Sequence, residues 1–340
     1  LRRIADYPAL LDEAWAQAHA PRAADAPTVI STFAGCGGSS LGYHMAGFRE
    51  LLAVEWEQNA ADTFRLNFPR VPLYHGDIAK LSVEECLRLA NVRPGELDVF
   101  DGSPPCQGFS TAGKREIGDA RNQLFREYCR LLEGLRPRAF VMENVSGMVK
   151  GDFKLVFAEI LRALKACGYR VKARLLNAMF YGVPQSRERM IFIGIREDIG
   201  TEPSHPGGWS EPVNASAAVI GASNLTATRP LATLARAIWR AVLPGQNGTH
   251  YRPGYYMNSI KLDPAKPAPT IPKILPGGGG HMHWSEMRSL SIEEIKRMGS
   301  FPDRFQMIGN PTSRWERIGN SVPPLLMRSI ATHVRGIIGR

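Results

Sequence analysis

The feature that most limits the fold of this chain is an alternation that begins at Thr28. Apolar runs of strand length, Val29–Phe33, Leu51–Glu55, Leu97–Asp101 and Ala139–Glu143, are separated by amphipathic stretches. One of these starts near Ser39, one covers Gln58–Asn67 and one covers Asn122–Leu135. Parallel strands need a long crossover between them, and a helix is its usual form. The alternation therefore predicts an α/β fold, with a mainly parallel, doubly wound sheet and helices on both faces. A further helix over Phe153–Ala166 leads to Tyr169–Leu176 and Met190–Ile195, which read as a closing antiparallel pair.

The pattern lapses after about Asp198. As far as Pro276 the chain is rich in Gly, Pro, Ser, Thr and Asn, with one short helical stretch, Leu231–Val242. Gly277–Gly280 reads as a hinge or a place of close backbone approach. A length of 340 residues exceeds the ~250–300 at which a single core tends to split. One large domain over 27–197 and a second, smaller and irregular one over 198–285 are predicted, with 286–340 returning to the first through a last helix over about Val322–Ile338. Residues 1–26 form an extension, a surface helix over Ile4–Ala20 followed by a Pro- and Ala-rich linker.

With 42 Lys+Arg against 32 Asp+Glu the chain carries a net charge of +10, which favours a polyanionic partner without identifying one. No apolar run reaches the ~18 residues that span a bilayer, and the opening Leu1–Asp6 lacks a signal-peptide core. A soluble, cytoplasmic protein with no membrane partner is expected. The five cysteines are odd in number and show no zinc-type spacing, so neither a disulfide scaffold nor structural zinc is expected. His281-Met282-His283 has no acidic or thiol neighbour in sequence, and no metal is expected there.

Chemistry-bearing residues stand at the ends of the apolar runs. Leu97–Asp101 leads into Gly102-Ser103-Pro104-Pro105-Cys106-Gln107, where two pyrrolidine rings fix φ, remove two N–H donors and leave a thiol on a stiff loop. Phe140–Val145 carries Glu143-Asn144 at its end, and Gln185-x-Arg187-x-Arg189 precedes Met190–Ile195. The turn Phe33-Ala34-Gly35-Cys36-Gly37-Gly38-Ser39-Ser40 follows a strand and opens a helix, as close approach of a nucleotide-type ligand requires. It has serine where a dinucleotide fingerprint has its third glycine. Glu55 lies twenty residues beyond Gly35, placed to accept from ribose hydroxyls, and Trp56 offers a flat face to a base. Taken alone, the turn also fits a plain helix start beside a buried tryptophan.

Together with Gly76-Asp77-Ile78 and Gly319-Asn320-Ser321-Val322, these segments resemble the cytosine-C5 DNA methyltransferases across nearly the whole chain and in that family's usual order. Residues 1–26 and about 198–265 have no evident counterpart. The resemblance implies a Rossmann-like methyltransferase sheet and S-adenosyl-L-methionine as cofactor. The matches of Phe33, Gly35, Cys36 and Gly38 line that cofactor, with Ile78 and Pro104 beside them. The match of Glu55 holds the ribose, Trp56 packs on adenine, Asp77 accepts from its amino group, and Asn320, Ser321 and Val322 close over the methionine part. The match of Cys106 attacks cytosine C6, Glu143 meets N3, Arg189 contacts O2 and Arg187 lies near the substrate backbone, with a structural role as the alternative for either arginine. Gln107 shapes the loop, and Ser110 to Lys114 match a loop that closes on DNA.

The region 198–285 then becomes a target-recognition domain across a cleft, with Arg252, Lys261, Lys273, His281, His283 and Trp284 available to phosphates or bases. The variable stretch before Pro267–Ile271 is short for the family. The partners implied are double-stranded DNA and a cognate restriction endonuclease, and the expected state is a monomer.

Cytosine C5 is too weak a nucleophile to take a methyl group unaided, so covalent catalysis by a thiolate is the expected solution. Glu143 must then share a proton near neutral pH, which calls for a buried carboxyl, whereas an ordinary strand-end carboxylate would not serve. Three other readings stand beside this one. Methylation of transfer RNA uses the same residues, but the Cys-Phe-Thr tripeptide of those relatives is missing. A catalytically silent nucleic-acid-binding module would share the fold. A nicotinamide-dependent dehydrogenase would leave Pro104-Pro105-Cys106 and Gln185-x-Arg187-x-Arg189 unexplained.

Overall fold

The structure, a computed structural model, describes residues 1–105, 120–145, 153–222, 230–274 and 280–340. In chain order its first elements are α1 (Tyr7–His19), β1 (Thr28–Thr32), α2 (Gly38–Met45), β2 (Arg49–Glu55), α3 (Gln58–Asn67), β3 (Leu73–His75), α4 (Val83–Ala90) and β4 (Val99–Gly102). Then come α5 (Ala120–Leu135), β5 (Ala139–Val145), α6 (Phe153–Ala166), β6 (Tyr169–Asn177), β7 (Gln185–Ser186) and β8 (Glu188–Arg196). The remainder are α7 (Ala215–Val219), α8 (Thr233–Ala241), β9 (Ile260–Lys261), β10 (Ala268–Pro269), β11 (His281–Met282), α9 (Ile292–Met298), α10 (Pro311–Asn320) and α11 (Pro324–Ile337).

Two compact units divide the chain, and the larger comprises Gln17–Leu176, Glu188–Gly207 and Met327–Arg340. Its seven-stranded sheet has the order β3-β2-β1-β4-β5-β8-β6. The pairings β2/β3, β1/β2, β1/β4 and β4/β5 are parallel and β5/β8 is antiparallel. The alternation read from sequence thus becomes a doubly wound sheet whose order reverses between β1 and β4. Ligands of open α/β sheets gather at such a switch point, beyond the carboxyl ends of the strands. Val29, Ile30, Val99, Phe100, Phe140 and Val141 are all fully buried, because strands covered on both faces are apolar at every position.

The local signals for helix ends are chemical. Ser82 accepts from the Glu85 amide and caps α4, and Asn91 closes that helix in the left-handed region. In the smaller unit, Ser291 and Glu294 form a reciprocal capping box on α9, and Asn310 with Pro311 starts α10.

The smaller unit comprises Leu1–Ala16, Asn177–Arg187 and Gly208–Leu326. The opening helix is anchored along one face: Tyr7, Leu11 and Ala14 are buried, and the Tyr7 hydroxyl donates to the Arg297 carbonyl at 3.0 Å. The segment after 285 does not return as one piece, since 286–326 stays with this unit and only 327–340 joins the larger. Buried polar ties explain that assignment. Arg288 grips Glu294 through both guanidinium nitrogens at 2.8 and 2.9 Å, and the Trp315 indole donates to the Pro272 carbonyl at 2.9 Å.

Candidate active site

The glycine turn begins where β1 ends. Phe33 has φ 54°, Gly35 57° and Gly37 99°, so three of five successive residues are left-handed. A phenylalanine in that region is strained, a state that clusters at functional sites. A Cβ at Gly37 would lie 2.4 Å from the Phe68 ring, whereas one on Gly35 would meet nothing within 4 Å. Packing therefore requires glycine at 37, while Gly35 borders open space. Cys36 is buried, as is Gly38, the first residue of α2, so both support the turn from within; Phe33 and Gly35 carry its accessible surface.

Glu55, at the end of β2, staples this turn. One carboxylate oxygen accepts from the Gly35 amide at 2.7 Å, and the other from the amides of Trp56 and Glu57 at 3.0 and 2.8 Å. Three of its roughly four lone-pair sites are thereby used. Its predicted task as a ribose acceptor is joined by a second, holding the turn in shape, which spacing alone did not reveal. Trp56 beside it is 75% exposed, against the buried tryptophan of the plain alternative. Asp77 is exposed and caps a short turn by accepting from the Ala79 amide at 3.0 Å, whereas the Ile78 side chain packs into the core.

At the end of β4, Gly102 pairs with Thr32 of β1. Pro104 is buried and its carbonyl accepts from the Asn144 side-chain amide at 3.1 Å, two residues before Cys106 in sequence. Cys106, Gln107, Ser110 and Lys114 lie outside the described residues. Glu143 and Arg189, on the adjacent antiparallel strands β5 and β8, form an ion pair at 2.7 Å with side chains 12% and 13% exposed. Both groups stand beyond the fully buried stretch of their strands, so the register of β5 on β8 sets the pair. Asn144 carried no role in the sequence reading beyond its place between Glu143 and Val145.

Behind these residues lies a buried polar layer that sequence reasoning missed. The Asp101 carboxyl in β4 accepts from the Tyr43 hydroxyl of α2 at 3.1 Å. Burial, with Glu50 and Glu143 adding to it, pushes the Asp101 pKa well up. Ser40 donates to Glu50 at 2.8 Å, and His44 stands 3.2 Å from the other Glu50 oxygen. The only sequence signal was an aspartate at the end of an otherwise apolar run.

In the smaller unit Arg187 is buried and donates to the carbonyls of Ile271, Gly319 and Ser321 at 3.1, 2.8 and 3.0 Å. Gln185 reaches the Met298 carbonyl and accepts from the Ile271 amide. These contacts make Arg187 a clamp on main chain, the structural alternative to a place beside the substrate backbone. Asn320 is exposed at the end of α10, Ser321 donates to the Arg317 carbonyl, and Val322 is buried.

The cations and rings expected to meet DNA separate by burial. His281 is buried, with its ring against the Pro269 carbonyl, and burial lowers its pKa to about 4, so it is withdrawn from the contact set. Lys261 is also buried, its ammonium 3.7 Å above the Trp239 ring. His283 is buried and stacks on half-buried Trp284 at 4.0 Å. Lys273 is exposed and pairs with Glu316, and Arg252 is exposed with its guanidinium 4.1 Å over the Tyr255 ring.

A switch-point glycine turn, an acid at the end of the second strand and a carboxyl–guanidinium pair two strands further on define an α/β enzyme built around a nucleotide-type ligand. The family model for C-5 cytosine-specific DNA methylases matches residues 27–220 and 237–335. The chain belongs to that family and is a DNA cytosine-5-methyltransferase, an activity that implies a methyl donor of the S-adenosylmethionine type. It is 36% identical to the Type II methyltransferase M1.HphI of Haemophilus parahaemolyticus over 90% of this chain and 86% of that one. With M.NgoPII of Neisseria gonorrhoeae it shares 30% identity over 92% and 96%. Among solved structures, a prophage-encoded E. coli chain described as a DNA modification methyltransferase aligns over 92% of this chain and all of that one, with a TM-score of 0.77 and 24% identity. Dnmt2 of Spodoptera frugiperda aligns over the same shares with a TM-score of 0.65 and 17% identity. These two similarities support the Rossmann-like fold. None of the described helices is long and apolar enough to cross a membrane.

Proposed function

We propose that this enzyme methylates C5 of a cytosine flipped out of a short, specific sequence in double-stranded DNA, with S-adenosyl-L-methionine as donor and a covalent Cys106–C6 intermediate. The observation that carries the reading is the Glu143–Arg189 pair at 2.7 Å, one residue from the Asn144 amide that holds Pro104. Strand β5 thus carries the acid of that pair and also holds the chain two residues before the thiol. A base inside a stacked duplex cannot be reached by these groups, hence the flipping.

The cofactor fits the residues present. Gly35 borders open space, Phe33 contributes accessible surface, Trp56 is an exposed flat face, and Glu55 keeps acceptor capacity for a ribose hydroxyl. Asp77 stands exposed for the adenine amino group. When bound, the cofactor supplies an electrophilic methyl group on a sulfonium.

The Cys106 thiolate adds to C6, and electron density moves through the ring toward C5 and N3. Glu143 bonds N3 and shares a proton with it as charge develops, while Arg189 orients the carboxyl and donates to O2. Once C5 carries both methyl and hydrogen, water takes the C5 proton, and the electrons of that bond expel Cys106 as thiolate. The enzyme acts as a cytoplasmic monomer on DNA, alongside a cognate restriction endonuclease.

The test is incubation with tritiated-methyl cofactor and either unmethylated genomic DNA or transfer RNA, followed by bisulfite sequencing. Label at cytosine within one short DNA sequence, lost in Cys106→Ala while cofactor binding survives, is the expected result. Turnover by Cys106→Ala would refute the covalent step, and label confined to transfer RNA would replace DNA as substrate.

A further inference from the structure

The smaller unit carries a hairpin whose tip is unusually furnished. Its arms, 245–248 and 259–261, are tied by bonds from the Gly245 amide to the Lys261 carbonyl (2.7 Å), from the Lys261 amide to the Gln246 carbonyl (3.0 Å) and from the Gly248 amide to the Ser259 carbonyl (2.8 Å). Between them, Tyr251, Tyr255 and Met257 are 43%, 52% and 64% exposed. Large apolar side chains so displayed on one short tip mark a surface that meets a partner.

The tip is also fixed in shape. Asn247 caps the turn at Thr249, the Arg252 amide donates to the Gly248 carbonyl at 2.9 Å and the Tyr255 amide to the Arg252 carbonyl at 3.1 Å. Tyr256 turns inward at φ 56° and packs against the small core of Leu231, Ile238 and Met282, leaving its two aromatic neighbours outside. The Arg252 guanidinium carbon sits over the Tyr255 ring, 4.1 Å from its centroid, and no ion pair engages it among the described residues. A stacked guanidinium keeps its N–H edge free for a planar pair of acceptors.

Charge selects the partner. From Pro212 to Leu262 the sequence contains no Asp or Glu but has Arg229, Arg236, Arg240, Arg252 and Lys261. At the chain's overall density of 32 acids in 340 residues, about five would be expected in that stretch. A stretch of chain without carboxylates that displays Tyr251, Arg252 and Tyr255 suits a nucleic acid, and a two-stranded tip has dimensions that the major groove of B-DNA admits.

We propose that this tip enters the major groove of the DNA substrate and that Arg252, aligned on the Tyr255 ring, donates two hydrogen bonds to O6 and N7 of a guanine in or beside the target sequence. The inference rests on the reading of double-stranded DNA as substrate. Tyr251 and Met257 cover neighbouring sugar and base surface without reading a letter.

The test uses the full-length enzyme, with Arg252→Ala and Tyr255→Ala as variants, on a duplex library carrying every base at each target and flanking position. Methylation is read by bisulfite sequencing at two salt concentrations, and melting temperature and cofactor binding establish that the variants fold. Arg252→Ala should lose about 10- to 100-fold of its preference for guanine at one position and keep its preferences elsewhere, with Tyr255→Ala intermediate at the same position. A uniform loss across all sequences, with a salt slope lower by about one, would show a phosphate contact and overturn the proposal. Unchanged preferences would also overturn it. A wild-type enzyme that labels only transfer RNA would remove the DNA reading itself, a failure visible before any variant is compared.

Discussion

Asn144 donates its side-chain amide to the carbonyl of Pro104, forty residues away in sequence and 3.1 Å away in space. Its own oxygen accepts from the Val145 amide at 2.9 Å, so the side chain cannot rotate without breaking a second bond. Strand β5, which bears Glu143, is thereby tied to the chain at Pro104, two residues before Cys106 in sequence.

Asn144→Ala should slow methyl transfer by about 10- to 100-fold, because misplacing a reacting group by ~1 Å costs rates of that order. Cofactor affinity should change little, since Phe33, Gly35 and Glu55 are untouched. Single-turnover methylation and cofactor titration on the same preparation separate the two quantities. A wild-type transfer rate would show that Pro104 is positioned without this bond.

Gly102→Ala tests the packing between β1 and β4. The added methyl would lie 2.4 Å from the Thr32 hydroxyl and 2.7 Å from the Tyr128 ring, both fixed in the core. Overpacking of this kind costs about 1–3 kcal/mol, and a thermal or denaturant melt should show it. Thr32→Ser, which removes one methyl and keeps the hydroxyl, should not relieve the clash.

Asp101 gives a pH dependence of definite sign. In the unfolded chain it titrates near its ordinary 3.8, and in the fold its pKa is raised by burial, helped by Glu50 of β2 and Glu143 of β5 and opposed by hydrogen bonds from Tyr43 and Ser39 of α2. The folded state therefore holds the proton over a window above 3.8. The stability contributed by this group is fully present below that pH and is lost as pH rises through the folded value. Asp101→Asn has no such loss, so its melting temperature relative to wild type should be more favourable at pH 8 than at pH 5. An unchanged difference would place the proton elsewhere in the layer of Tyr43, Glu50 and His44.

The strands and the elements between them were legible because each carries its own pattern. Gln58–Asn67 and Phe153–Ala166 were delimited to the residue by their amphipathic period. Glu55, Glu143 and Arg189 were legible as ends of apolar runs. What spacing could not show were interactions whose partners are distant in sequence: the three amides gathered by Glu55, the Asn144–Pro104 bond and the buried Tyr43–Asp101 contact. The basic residues of the irregular region looked alike in sequence. Burial alone separates exposed Arg252 and Lys273 from buried Lys261 and His281.

The Arg187 clamp has a consequence for how such a unit can vary. Three of its acceptors are main-chain carbonyls, at Ile271, Gly319 and Ser321, and every amino acid supplies the same carbonyl. Through these bonds the arginine follows the course of the backbone, whatever side chains lie along it. Gly319 is the exception, since a Cβ there would sit 2.3 Å from the Pro272 carbonyl oxygen. One cation can in this way hold three stretches of chain together while the residues displayed on them are exchanged, so that the surface can change on an unchanged frame.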